Sequence, residues 1–208
     1  MAIRAVVFDI GGVLERVADD AWPETWATRW EARAGLPAGA FAERLAAHAP
    51  AGSVVTGEVT ETQLRAAYAA TFGLDEAATE AMMADLWDAY CGELDVEMYD
   101  FAAGLRPALS TAILSNSGDG ARREEQRRYG FEQLVDTIVY SHEVGLAKPD
   151  PMVYALTTRR LGVRPDEVVF VDDVDGHVRA AREHGWHGVV HRETAATIRE
   201  VTRIIEQG

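Results

Sequence analysis

The run Ile3-Arg4-Ala5-Val6-Val7-Phe8 is apolar at all but one position and stops at Asp9. An unalternating run of this length predicts a strand buried on both faces, the kind found in a parallel sheet. The pattern returns three times, each run ending in polar residues. Ala112-Ile113-Leu114 leads into Ser115-Asn116-Ser117, Thr137-Ile138-Val139-Tyr140 into a loop reaching Lys148-Pro149, and Val168-Val169-Phe170-Val171 into Asp172-Asp173. Residues 186–191 read as a further strand, and helix alternates with strand from about Val96 to Gln207, as a parallel α/β fold requires. The stretch from about Glu15 to Leu94 has a different period. It is Ala-rich, poor in β-branched runs and helical in spacing. Helices are predicted over 21–34, with Pro23 in the first turn, over 40–49 after the break at Leu36-Pro37-Ala38-Gly39, from the capping box Thr60-Glu61-Thr62-Gln63 to near Gly73, and over 75–90. The expectation is an α/β core from residues 1–14 and 95–208, flanked by helices, with a four-helix, strand-free cap inserted over residues 15–94.

Strands of a parallel sheet end along one edge, where such folds place their chemistry. Asp9, Ser115, Lys148 and the pair Asp172-Asp173 are therefore expected to converge. Together they make a phosphoryl-transfer set: a carboxylate that attacks phosphorus, donors that hold its oxygens, and acids that hold a metal. Gly11 and Gly12 let backbone N–H groups turn toward a bound anion. Taken singly, each feature has a plainer reading. Asp-Gly is a common turn, an acid pair after a strand caps a helix, and a lysine beside a proline sits on many surface loops.

Trp22, Trp26 and Trp30 share one helix face, which reads as the core of the cap. Trp22, nearest the hinge, is the candidate wall of a substrate pocket. His184, His187 and His191 fall across a break and a strand, so they are read as separate structural histidines rather than a metal site. The run Arg122-Arg123-Glu124-Glu125-Gln126-Arg127-Arg128 interleaves its signs, which predicts i,i+4 pairing on a solvated helix. A formal net charge of −14 over 208 residues argues against nucleic acid and anionic membrane as partners. It also requires local positive groups to draw in an anionic substrate. The lone Cys91 forms no internal disulfide and is read as a packed thiol of a reducing compartment. With no signal-peptide pattern and no apolar stretch of membrane-spanning length, the chain is expected to be cytoplasmic, with homodimer formation left open.

Asp9-Ile10-Gly11-Gly12-Val13-Leu14, Leu114-Ser115-Asn116, Lys148-Pro149-Asp150-Pro151 and Val171-Asp172-Asp173 resemble the four ordered motifs of the haloacid dehalogenase-like (HAD) hydrolase superfamily. The likeness is greatest to the branch with a helical cap inserted after the first strand. It implies a Rossmann-like core, Mg²⁺ and an aspartyl-phosphate formed on Asp9. It implies phosphate binding by Ser115 and Lys148 with Asn116 adding a contact. Mg²⁺ ligation falls to Asp173, the Asp9 carboxylate and the Gly11 carbonyl, with Asp172 and Asp175 secondary. Two positions depart from the pattern. Gly11 stands where phosphatases of the family carry an acid–base Asp, a loss of about 10²–10⁴-fold for such help, and His177 replaces an Asp or Asn. Glu15 and His177 are the candidate stand-ins. The expected activity is a Mg²⁺-dependent phosphatase for a small phosphorylated metabolite. The alternatives are a metal-independent 2-haloacid dehalogenase-type hydrolase, against which Asp172-Asp173 speaks, and a non-catalytic protein that binds a phosphometabolite.

Overall fold

The computed structural model describes residues 2–16 and 21–208, so the stretch 17–20 of the expected cap lies outside the described residues. Five parallel strands form the sheet in the order β5-β4-β1-β6-β7. They are β1 (Ala5–Phe8), β4 (Ser110–Ser115), β5 (Thr137–Tyr140), β6 (Val168–Asp172) and β7 (His187–Val190). The first strand is shorter than its apolar run. Ile3 packs into the core ahead of it, and Arg4 donates its backbone N–H to Glu167.

The unbroken apolar pattern of β1 has a simple cause. Val6 and Phe8 face one core, shared with α5 (Val96–Gly104), α7 (Phe131–Leu134) and α11 (Thr194–Gln207). Ala5 and Val7 face the other, shared with α9 (Pro151–Leu161) and α10 (Asp175–Glu183). All four residues are fully buried, each large one contributing about 1.5–3 kcal/mol. Helices on both faces and strands in this order make a Rossmann-like α/β core.

Among the described residues four helices lie between β1 and α5: α1 (Trp22–Arg33), α2 (Ala40–Ala46), α3 (Glu61–Phe72) and α4 (Glu76–Tyr90). Thr60 and Gln63 make both bonds of the capping box on α3, and Gly73 ends it at φ 68°. Asp75 caps α4 through the Ala78 N–H. Helix α2 stops short of the predicted Ala49. The helices enclose a core of their own, in which Trp26 meets Phe41, Tyr68 and Phe72 at ring centroid distances of 5.7, 5.3 and 5.9 Å. Trp26 and Trp30 are buried there, as their spacing predicts.

The expectation of a strand-free segment is corrected at its two ends. Glu15–Arg16 (β2) and Glu93–Leu94 (β3) pair antiparallel, Glu15 opposite Leu94 and Arg16 opposite Glu93. Two-residue strands leave no periodic trace. They form because the chain leaves and re-enters the core at neighbouring points.

The helical layer sits on the core through specific contacts. Glu61 accepts from both Nη atoms of Arg123 at 2.8 Å and from Trp87 Nε1 at 2.8 Å. Ser141 donates its hydroxyl to the Val55 carbonyl at 2.7 Å. Gly57, at φ +74°, approaches so closely that a Cβ there would stand 2.1 Å from the His142 carbonyl oxygen. The arginine-rich run forms α6 (Ala121–Tyr129), and its pairing is in part local, Arg127 and Arg128 with Glu124, and in part distant. Arg122 reaches Glu132 and Glu143, Arg123 reaches Glu61, and Arg128 reaches Asp88. Glu125 is not solvated either: it is fully buried and accepts from the Tyr140 hydroxyl at 2.5 Å. Among the described residues no helix is long and apolar enough to cross a membrane.

Candidate active site

Register brings the strand ends together. Phe8 lies opposite Ile113 on one side and Val171 on the other, so Asp9 is level with Leu114 and Asp172. Asp9 is nearly buried, and its Oδ1 accepts from the Ile10 N–H at 2.8 Å and pairs with Lys148 Nζ at 2.8 Å. The same ammonium meets Asp172 Oδ2 at 2.7 Å, with no exposed side-chain surface on either partner. Lys148 is delivered to this point by Asn116. The Asn116 side chain accepts from the Lys148 backbone N–H and donates to its carbonyl, both at 2.8 Å. Asn116 thereby positions the lysine, and the second N–H of its amide is not used in this grip. Ser115 ends β4, buried and opposite Tyr140.

Asp172 is fully buried. Its Oδ1 accepts from the Val174 N–H at 2.8 Å, and the ring of His177 lies 3.1 Å from Oδ1 and 3.2 Å from Oδ2. Burial pushes its pKa up, but the bonds from His177 and Lys148 outweigh that and hold it at about 2. Asp9 behaves in the opposite way. Burial and the negative charge of Asp172 raise it to about 7 against the pull of Lys148. Asp173 is half-buried, and its pKa is likewise raised by burial and by Asp172. Its Oδ2 lies 2.6 Å from where a Cβ on Gly12 would stand, so the absence of a side chain at Gly12 (φ +71°) is what admits this carboxylate over the catalytic loop.

Two carboxylates thus share one buried ammonium and Asp173 stands beside Gly12, so the three acids, when ionised, leave an excess of two negative charges. A hard divalent cation such as Mg²⁺ fits that excess and those oxygen donors. Oxygen or nitrogen atoms of Asp9, Asp172 and His177 also lie within 4.8 Å of one another. The Lys148 ammonium already bonds the first two. Asp172, expected as a further ligand, also bonds the His177 ring.

Trp22 is half-buried and packs edge-on against Tyr90, centroids 6.0 Å apart. The three histidines do not converge: His184 stacks on Tyr154, His187 lies by the Asp166 carbonyl, and His191 bonds Thr197. Beside Gly12 and Asp173 opens a cavity of about 540 Å³, whose wall includes Arg16, Asp95, His191 and Arg192. Both guanidiniums are paired with acids, Arg16 with Asp95 and Arg192 with Asp175. Arg192 lies two residues past the end of β7 and its strand-end place was the available signal, but nothing in the local pattern marks Arg16.

Comparison with known proteins places this geometry. The profile of the family described as haloacid dehalogenase-like hydrolase matches residues 3–185. The chain is 31% identical over 223 residues to bifunctional epoxide hydrolase 2 of Sus scrofa, covering 98% of this chain but only 39% of that protein. It is 34% identical over 109 residues to (S)-2-haloacid dehalogenase 1 of a Pseudomonas species, with 50% of this chain and 47% of that one covered. The fold is shared with a HAD family enzyme of Bacteroides thetaiotaomicron, solved in complex with magnesium and inorganic phosphate. There the TM-score is 0.70 at 19% identity, covering 92% of this chain and 95% of that chain.

Proposed function

The chain belongs to the haloacid dehalogenase-like hydrolases, and from that membership we propose that it is a Mg²⁺-dependent phosphatase of a small phosphorylated metabolite. The observation that carries the reading is the excess of negative charge where Asp9 and Asp172 share Lys148 and Asp173 stands beside Gly12. Halide displacement requires no such cation site, whereas transfer of a phosphoryl group with charged equatorial oxygens does.

In this reading the Asp9 carboxylate attacks phosphorus and the ester oxygen leaves. Water then attacks phosphorus of the aspartyl-phosphate and frees Asp9. Lys148 keeps Asp9 ionised and oriented, and the Ser115 hydroxyl with the N–H groups of residues 10–12 binds phosphoryl oxygens. Bound Mg²⁺, held by Asp9, Asp173 and the Gly11 carbonyl, supplies charge neutralisation of the phosphoryl group. Residues 15–94 act as a cap over residues 1–14 and 95–208, excluding water and selecting the leaving group. Trp22 and Tyr90 offer that group an aromatic wall.

The dehalogenase reading keeps the same nucleophile and is favoured by Gly11, since a halide leaves without a proton. The test is phosphate release from a panel of phosphorylated metabolites with and without Mg²⁺, beside halide release from 2-haloacids in chelator. Phosphate release that needs Mg²⁺ supports the phosphatase. Halide release in chelator, with no phosphate release, overturns it.

A further inference from the structure

An ester oxygen leaving phosphorus needs a proton, and Gly11 has none to give. We propose that Glu15 is the acid–base residue of this site, donating a proton to the leaving oxygen and later accepting one from the attacking water. The proposal rests on the phosphatase reading.

Position is the first argument. Gly11 and Glu15 form a β-bridge, the Gly12 N–H donates to the Glu15 carbonyl at 2.8 Å, and the Glu15 N–H donates to Ile10 at 3.0 Å. The backbone of residue 15 is therefore fastened to the residue whose side chain is missing. A Cβ built on Gly11 meets nothing within 4 Å, so the space an acid would fill there is free. The second argument is the state of the side chain. Glu15 is 2% exposed, makes no ion pair among the described residues, and its Oε2 is buried without a hydrogen-bond partner. An unsatisfied buried carboxyl oxygen costs about 1–3 kcal/mol, and a group that meets its partner only when substrate arrives explains why one is kept. Tyr129, whose hydroxyl donates to the Gly92 carbonyl at 2.5 Å, lies beside the Glu15 carboxyl, and the Asp9 charge acts on it. The carboxyl is thus within electrostatic reach of the nucleophile. His177, the other candidate, is bound to Asp172 and through it to Lys148. It positions the lysine.

The step balances as follows. An Asp9 oxygen bonds to phosphorus, the ester P–O bond breaks toward the leaving oxygen, and the Glu15 proton joins that oxygen. In the second half, a water oxygen bonds to phosphorus, the bond from Asp9 to phosphorus breaks to return the carboxylate, and the water proton passes to Glu15.

Single-turnover phosphoryl transfer with Mg²⁺, from aryl to alkyl phosphates of graded leaving-group acidity, tests this. Wild type is expected to vary little across the series. Glu15→Gln, which keeps shape and loses the proton, is expected to lose about 10²–10⁴-fold on alkyl phosphates, the loss shrinking steadily as the leaving group becomes more acidic. His177→Asn is expected to slow all members alike. Gly11 has no left-handed φ and open space at its Cβ, so Gly11→Asp added to Glu15→Gln is expected to restore the alkyl phosphates. A Glu15→Gln slope equal to that of wild type, or a uniform loss across the series, overturns the assignment and leaves the phosphatase reading standing. A wild type that releases phosphate from no member overturns both.

Discussion

Lys148 serves two carboxylates at once, and this makes the consequences of single substitutions at the site unequal. Asp9→Asn removes a carboxylate that burial already resists ionising and leaves Lys148 paired to Asp172. Circular dichroism should be unchanged while turnover is lost, and hydrolysis near the wild-type rate would rule out the covalent route. Lys148→Met is the opposite case. It strands two buried carboxylates, and breaking a buried pair this way costs about 3–5 kcal/mol. The urea midpoint should fall steeply, and a midpoint within error of wild type would mean that the pair at 2.7 Å holds nothing together. Asp173→Ala touches neither ion pair. It should leave stability close to wild type and abolish the heat of Mg²⁺ binding in calorimetric titration. An unaltered titration would move the metal elsewhere.

Helix α5 carries the clearest pH dependence among the elements. Asp95 caps it through the Met98 N–H at 3.0 Å and accepts from Arg16 at 2.8 Å and Thr194 at 2.6 Å. Burial raises its pKa, yet these donors outweigh burial and hold it at about 2, below the ordinary 3.8 of an aspartate. A depressed folded pKa means that the unfolded chain binds the proton first. The contribution is therefore whole above about pH 4 and is lost as pH falls toward 2. Asp95→Asn should flatten that part of the acid-unfolding curve, and identical curves for the two proteins would exclude the role. The cap of α3 was legible in the sequence, because Thr60 with Gln63 follows a fixed chemical spacing. Long apolar runs were legible too, because a strand buried on both faces has no other way to look. What escaped were features made by residues far apart. The β2–β3 pair joins Arg16 to Glu93, Asn116 grips the backbone of Lys148, and Glu125 sits buried under Tyr140 in a run that reads as solvated. No local period announces a partner 15 or more residues away.

Over the whole molecule, the convergence of Asp9 and Asp172 followed from sheet topology, whereas the grip of Asn116 that brings Lys148 to them and the seating of the helical layer did not. That seating depends on Glu61, which binds Arg123 of the core and Trp87 of α4 together. Arg123 is half-exposed, so the contact is screened by salt and worth about 0.2–1 kcal/mol. Glu61→Ala should speed hydrogen exchange at residues 53–61 without lowering the global unfolding midpoint by more than a few degrees. Unchanged exchange there would leave Gly57 and Ser141 as the contacts that matter. The ribbon of β2 and β3 carries a separate implication. Because Arg16 and Glu93 lie directly across from each other, a tight turn from one to the other would bypass everything between them without moving a strand of the sheet. The scaffold is therefore open to transplantation: a foreign module whose two ends lie as close as neighbouring strands fits the same socket, and a new specificity can be installed above Asp9 while the catalytic edge beneath it stays as it is.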